Sequence, residues 1–142
     1  MATGIDEKLE LLKRSPVLAG LTRKDLEEVE RLADEVDVPA GRVLMREGSI
    51  GSEFFVIVDG QVVVDRGGRT VRTMGPGEFF GDIALITERP RAASVTALTD
   101  CRLLVLGHRE FHSLLDEFPS IRMTILESIA LRLRDLEPDS AH

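Results

Sequence analysis

The middle of the chain restricts the possible fold more than any other part of the sequence. Between Val38 and Gly107 the chain consists of short β-rich runs separated by glycines, namely RVLMRE, EFFVIV, QVVVDR, TVRTM, SVTAL and CRLLVL. The pair Gly67-Gly68, between two of these runs, is typical of a tight hairpin. Many short strands with frequent turns predict a jelly roll or a barrel-like sandwich.

Helical periodicity flanks this β region on both sides. A short first helix is predicted from the spacing of Ile5, Leu9 and Leu12, and it ends before Pro16. Thr22 is the predicted N-cap of a second helix, whose buried stripe is Leu26, Val29, Leu32 and Val36. Two more helices are predicted after Gly107, interrupted at Pro119, and the last carries an apolar stripe of Leu126, Ile129, Leu133 and Leu136.

These patterns predict one α+β, mainly β domain over residues 1–142. Its centre is a β-roll of the double-stranded jelly-roll type over residues 36–107. Helices over 1–35 precede the roll, and helices over 108–137 follow it. A chain of this length is long enough to bury one real core.

Composition excludes several kinds of site. The net charge of −7 argues against a broad nucleic-acid surface. A single cysteine, Cys101, excludes an internal disulfide and a cysteine zinc site. His108 and His112 have the spacing of two zinc ligands on a helix, but no third ligand is evident, so we expect no metal site. The start of the sequence is not signal-like and no run approaches 18 apolar residues, so we expect no membrane span and a cytoplasmic location.

The stretch FGDIALITERPRAASVTA, residues 79–96, places a lone arginine among small and apolar residues. Gly81 permits close approach of a ligand to the backbone, and the free N–H groups of a helical turn at 82–85 would attract an anion. Arg91 adds a charged fork suited to phosphate. Asp82 would repel that phosphate but can accept a hydrogen bond from a hydroxyl. Together these features fit a sugar phosphate with an attached base; the alternative is that Asp82 caps a helix and Arg91 is an ordinary loop arginine or ion-pair partner.

This stretch resembles the phosphate-binding cassette of cyclic nucleotide-binding domains. The family pattern is F-G-E-(L/I)-A-L, a few residues, then P-R-(A/S/T)-A-(T/S)-V, and here residues 80–85 are FGDIAL and residues 90–95 are PRAASV. The resemblance extends over nearly the whole chain, with the cassette at 80–95. It implies a β-roll fold and a non-catalytic regulatory function.

The resemblance also implies a role for each matching position. Arg91 would hold the exocyclic phosphate oxygens, and Asp82 would accept the ribose 2′-hydroxyl. Further ligand contacts are implied for Gly81, Ile83, Ala84, Leu85, Ala92 and Ala93. Val64 and Val71 would lie under the base, and Arg132 would lie near a lid formed by the last helix. Ala92 has no hydroxyl to favour cyclic GMP, so cyclic AMP is the expected ligand and cyclic GMP the alternative.

Three departures from the family pattern bear on this prediction, and one of them is that the last helix has no Ser or Thr near Arg132, at the expected lid, to contact the base. Asp82 stands where the family usually has Glu, and Ser52 stands where many members have an acid that steadies the arginine. Glu53 is the neighbouring residue that would replace that acid. These departures leave open an alternative, in which the same fold acts as a protein-interaction module without nucleotide.

Two other function classes fit the sequence poorly. A cupin-type metalloenzyme needs histidines on its strands, but all three histidines follow the β region. A DNA-binding regulator needs a helix-turn-helix after the last helix, and only six residues follow Leu136. We therefore expect no catalytic residues, no enzyme activity, no cofactor and no nucleic-acid partner. The expected partners are the cyclic nucleotide and an unidentified effector protein, and the expected oligomeric state is a monomer or a weak homodimer.

Overall fold

A computed structural model describes residues 10, 13, 18, 21–81 and 89–136 of the protein, without the side chains of 128, 129 and 132–136. Its helices are α1 (Arg23–Leu32), α2 (His108–Glu117) and α3 (Pro119–Leu136). Its strands are β1 (Asp34–Val38), β2 (Val43–Met45), β3 (Glu53–Asp59), β4 (Val62–Arg66), β5 (Arg69–Met74), β6 (Phe79–Phe80), β7 (Ser94–Ala97) and β8 (Cys101–Gly107). The predicted first helix, from Ile5 to Leu12, lies outside the described residues.

The strands form two four-stranded sheets, and every described strand pair is antiparallel. The strand order is β1-β8-β3-β6 in the first sheet and β2-β7-β4-β5 in the second. The helices lie before and after this β unit in the chain. The predicted α+β class with a jelly-roll-like core between helices is confirmed.

The centre of the first sheet, at β3 and β8, is buried on both faces, which explains the unbroken apolar run of β3. Phe54, Val56 and Val58 pack with the helices, in a core that also contains Leu26 of α1 and Phe111 of α2. The alternate residues Phe55 and Ile57 face the second sheet. A strand covered on both sides has no polar face, so its sequence does not alternate. The molecule is therefore layered as helices, first sheet and second sheet.

Two local predictions are confirmed. Gly67 and Gly68 have φ of 60° and 80°, and they join the paired strands β4 and β5. Two consecutive positive φ values are what a tight hairpin requires, and glycine adopts them without steric cost. At the start of α1 the Thr22 hydroxyl accepts a hydrogen bond from the amide of Asp25 at 3.1 Å, as an N-cap should.

Two predicted helical stripes differ from the structure. Helix α1 ends at Leu32, and Val36 lies instead on strand β1, where it is 37% exposed. The roll thus begins at Asp34, two residues before its predicted start. In α3 the described residues that pack in the helical core are Ile121 and Ile125, whereas Leu126 of the predicted stripe is 45% exposed. The side chains of Ile129, Leu133 and Leu136 are not described.

Candidate functional site

Arg91 is the buried charged residue at the centre of the candidate site. It follows Pro90 in the segment before β7, and it is only 5% exposed. Its Nη1 donates to the main-chain carbonyl of Gly81 at 2.8 Å, and its Nη2 donates to that of Glu53 at 2.9 Å. Gly81 directly follows β6 and Glu53 begins β3, so the guanidinium joins the ends of two neighbouring strands of the first sheet.

The main chain of Arg91 is fixed as well as its side chain. Its amide donates to the carbonyl of Ser49 at 2.8 Å, and its carbonyl accepts from the amide of Gly48 at 2.8 Å. Two adjacent residues, Gly48 with φ of 83° and Ser49, thus lie opposite the single residue Arg91, which is the hydrogen-bond pattern of a glycine β-bulge. The segment between β2 and β3 therefore holds the backbone of Arg91 while β3 and β6 hold its fork, so both ends of the side chain are positioned in advance.

Two glycines make room for this arrangement. A Cβ atom at Gly51 would lie 1.7 Å from Nε of Arg91 and 2.0 Å from its Cζ. At Gly81 the φ is +94°, and a Cβ there would lie 2.7 Å from the Glu53 carbonyl oxygen. The guanidinium thus lies directly against Gly51, and its hydrogen bond to the carbonyl of Gly81 helps to fix its orientation. A larger residue at position 51 would displace it.

The two residues that follow Arg91 in the chain offer further main-chain donors. Ala92 and Ala93 are half-buried and form a bend before β7. Their amide N–H groups have no hydrogen-bond acceptor among the described residues. The small side chains keep these amides accessible. Adjacent free N–H groups and a guanidinium are donors of the kind that bind oxyanions.

The structure answers how Glu53 relates to Arg91. Glu53 reaches the guanidinium through its main-chain carbonyl, and its side chain is exposed. Ser52, at the position where an acid was expected, is also exposed. Sequence reasoning missed this contact and the role of Gly51, because main-chain acceptors carry no residue-type signal. The spacing of Gly48 and Gly51 was the one visible sign that backbone approaches closely here.

The other predicted site residues are only partly brought together. Val64 is half-buried on β4 and packs against the core between the sheets, whereas Val71 on β5 is 48% exposed. Arg132 lies in α3, and its side chain is not described. Asp82, Ile83, Ala84 and Leu85 lie outside the described residues, as does the predicted helical turn at 82–85.

The remaining reactive side chains form no second site in the described part of the chain. His108 and His112 stack on α2 with ring centroids 4.5 Å apart, but the described residues contain no group of three or more metal-ligating side chains. Cys101 is buried, and its thiol lies 3.3 Å from the carbonyl oxygens of Gln61 and Thr99. Burial raises the pKa of this thiol, which keeps it protonated and unreactive.

Comparison with known proteins decides the family. The family model described as cyclic nucleotide-binding domain matches residues 35–118, which include both sheets, Arg91 and helix α2. The chain belongs to the cyclic nucleotide-binding domain family. Members of this family are regulatory domains. Arg91, Ala92 and Ala93 therefore lie, as the sequence motif predicted, within a domain of this family.

Relatives share the domain within longer proteins. The chain is 36% identical over 134 residues to a cyclic nucleotide-gated potassium channel of Rhizobium etli, covering 88% of this chain and 38% of the channel. It is 31% identical over 135 residues to the cyclic AMP receptor protein of Thermus thermophilus, covering 90% of this chain and 62% of the receptor. The chain thus spans less than two thirds of either relative.

Solved structures show the same fold. The catabolite activator protein of Thermus thermophilus superposes with a TM-score of 0.79 at 29% identity, covering 85% of this chain and 59% of that one. The regulatory domain of Toxoplasma gondii PKA, solved with cAMP, has a TM-score of 0.69 at 32% identity, covering 77% of this chain and 43% of that one. None of the helices α1 to α3 is apolar over a length sufficient to cross a membrane.

Proposed function

We propose that this protein is a cyclic nucleotide sensor that binds cyclic AMP in preference to cyclic GMP and has no catalytic activity of its own. The observation that carries the proposal is the fixed position of Arg91. Its fork is oriented by two main-chain carbonyls, and the amides of the next two residues in the chain have no acceptor among the described residues. A donor set that is oriented before binding loses little conformational entropy when an anion arrives.

The remaining roles follow from the position of the phosphate. With the phosphate at Arg91, Ala92 and Ala93, Gly81 allows the backbone of the cassette to approach the sugar, and Asp82 accepts the ribose 2′-hydroxyl. Ile83, Ala84 and Leu85 line the phosphate and sugar, and Val64 lies under the base. Ala92 offers no hydroxyl to guanine, which supports the preference for cyclic AMP. The solved Toxoplasma relative that contains cAMP supports the same ligand class.

The response to ligand would be mechanical. We propose that α3 closes over the base, with Arg132 near it, and that an effector protein binds the surface this creates. A ligand can move the helix only by as much as it prefers the closed state. Relatives with different outputs, a potassium channel and a receptor protein, support a module whose effector is separate from its pocket. We place this sensor in the cytoplasm, and a chain with a single cysteine and no possible internal disulfide agrees with that.

Calorimetric titration of the full chain with cyclic AMP and cyclic GMP tests the proposal. We expect both to bind, with cyclic AMP tighter. Arg91→Ala should weaken the binding of cyclic AMP at least tenfold, while Arg109→Ala, which removes the same charge from an exposed position on α2, should leave it unchanged. The absence of heat and of any thermal shift at millimolar concentrations of both ligands would overturn the sensor function and favour the protein-interaction module.

The role of Asp82 has its own test. If it accepts the ribose hydroxyl, 2′-deoxy cyclic AMP should bind less tightly than cyclic AMP to the wild type but equally tightly to Asp82→Ala. Such a cycle of protein change against ligand change isolates the interaction of that pair. If the losses of binding free energy from Asp82→Ala and from removal of the 2′-hydroxyl simply add, Asp82 acts only as a helix cap.

A further inference from the structure

Strand β5 places a second arginine on the inner face of the roll. Arg72 is paired directly with Val64 of β4, two positions from the pair Val62 and Met74. Directly paired residues of antiparallel strands point to the same face of the sheet. Val62 and Met74 are buried in the core between the sheets, and Val64 packs against it. Arg72 is therefore on the face that looks into the roll.

The charge of Arg72 has no protein partner in the described part of the chain. The residue is exposed, and no described side chain or carbonyl forms an ion pair or hydrogen bond with it. By contrast, Arg102 pairs with Asp37 at 3.0 Å, and Arg122 donates to the carbonyl of Leu115 at 2.9 Å. Arg72 is therefore a donor on the inner face of β5 that is exposed and available to a ligand.

Arg72 and Arg91 flank one region of the inner surface. β4 lies between β5 and β7, and Val64 is paired with both Arg72 and Val95. Two strand spacings place the backbones of β5 and β7 ~10 Å apart. Arg91 precedes Val95 by four residues and turns its fork toward the first sheet. A ligand whose anionic end meets Arg91 and which extends across β4 brings its other end to Arg72.

We propose that Arg72 contacts the edge of the purine base and sets how strongly the pocket distinguishes cyclic AMP from cyclic GMP; this rests on the function proposed above. Guanine presents two adjacent acceptors, N7 and O6, which match the two donors of an arginine fork. Adenine presents the N7 acceptor beside an amino group, which is itself a donor. Arg72 can therefore make two bonds to guanine but one to adenine, and it opposes the preference that Ala92 creates.

The variant Arg72→Met tests this inference because it removes the donors while keeping a long flexible side chain. Arg72→Met should bind cyclic GMP roughly tenfold or more weakly than the wild type does, as expected for the loss of a two-bond contact. The affinity for cyclic AMP should fall by less. 7-Deaza cyclic AMP, which lacks the N7 acceptor, should bind the wild type more weakly than cyclic AMP does. It should bind Arg72→Met as tightly as cyclic AMP does.

The matched control is Arg69→Met, which removes the same charge from the hairpin end of the same strand, where Arg69 is paired with Arg66. It should weaken the binding of all three ligands by a similar factor, because only the long-range electrostatic potential at the site changes. If Arg72→Met also weakens them uniformly, or the deaza ligand shows no coupling with position 72, the inference is wrong although the sensor function stands. If the wild type binds none of the three, the proposed function and this inference both fail.

Discussion

The guanidinium of Arg91 rests directly on Gly51, at a separation that would leave only 1.7 Å between Nε and a Cβ atom at that position. The two residues are 40 positions apart in sequence, and they meet because Gly48 and Ser49 pair with the main chain of Arg91. The position of the Arg91 guanidinium thus requires a residue without a Cβ atom at position 51. A side chain added at position 51 should therefore impair nucleotide binding.

Gly51→Ala should displace the guanidinium and weaken binding of cyclic AMP by about tenfold, because the fork loses its alignment with the carbonyls of Glu53 and Gly81. Overpacking of this kind typically costs ~1–3 kcal/mol of stability. The control is Gly75→Ala, since a Cβ at Gly75 meets nothing within 4 Å. Titration calorimetry and urea unfolding measure both effects. Wild-type affinity in Gly51→Ala would show that the arginine functions from another position.

Arg91 should contribute to stability as well as to binding. Arg91→Ala leaves the carbonyls of Gly81 and Glu53 without this donor, and a buried unsatisfied polar group costs ~1–3 kcal/mol. We expect the free energy of unfolding of the ligand-free protein to fall by that amount and cyclic AMP affinity to fall at least tenfold.

The variant Arg91→Lys separates the two contributions. Lysine can donate to one carbonyl but lacks the planar fork, so it should recover more of the stability than of the affinity. Unfolding curves with and without cyclic AMP measure both quantities on one sample, because ligand stabilises only the folded form. Full affinity in Arg91→Lys would argue against a two-pronged contact with phosphate.

Cys101 should make stability depend on pH in the alkaline range. Burial raises the pKa of its thiol, so the folded state favours the protonated form more than the unfolded state does. The resulting stabilisation is complete below the unfolded pKa of about 8.5, and it is lost as pH rises through the higher folded value.

This prediction is measured by urea unfolding between pH 7 and pH 10. The stability of the wild type should fall relative to Cys101→Ala as pH rises. At neutral pH a thiol reagent should modify the native protein at least ~100-fold more slowly than the unfolded protein, because reaction needs an exposed thiolate. Equal rates in the two states would contradict the buried position of Cys101.

The sequence predicted those features that residue type and spacing control locally. The six β-rich runs are strands in the structure, and Gly67 and Gly68 form the predicted hairpin turn. The sequence motif of the cassette identified Arg91 as a candidate site residue. Strand β1 was missed because Leu32 and Val36 have helical spacing, yet residues 34–38 pair with β8. That pairing includes ion pairs from Arg102 to Glu35 and Asp37, contacts that span more than 60 residues and leave no local pattern.

The candidate site shows the same limit. A motif identifies the side chain that carries charge, but the atoms that orient Arg91 are main-chain carbonyls at positions 53 and 81. Any residue type supplies a carbonyl, so its contribution depends only on where the backbone runs. The inward position of Arg72 likewise follows from strand register, and a one-residue shift would turn it to the other face.

The last prediction concerns α3 as a lid, and the structure determines where to cut. Ile125 is fully buried in the helical core, so removal of residues 124–142 would damage the fold as well as any lid. Deletion of residues 131–142 keeps Ile121 and Ile125 and removes the end of the helix that carries Arg132. If that end covers the base, the shortened protein should keep its ligand-free stability but bind cyclic AMP about tenfold more weakly, mainly through faster dissociation. Light scattering of both forms, with and without ligand, is the necessary control for this deletion. The exposed side chains of Met123, Leu126 and Leu131 are the surface of α3 through which a second copy of the chain would bind. A tight dimer that becomes a monomer on deletion, with unchanged affinity for cyclic AMP, would make α3 an assembly element and exclude the lid.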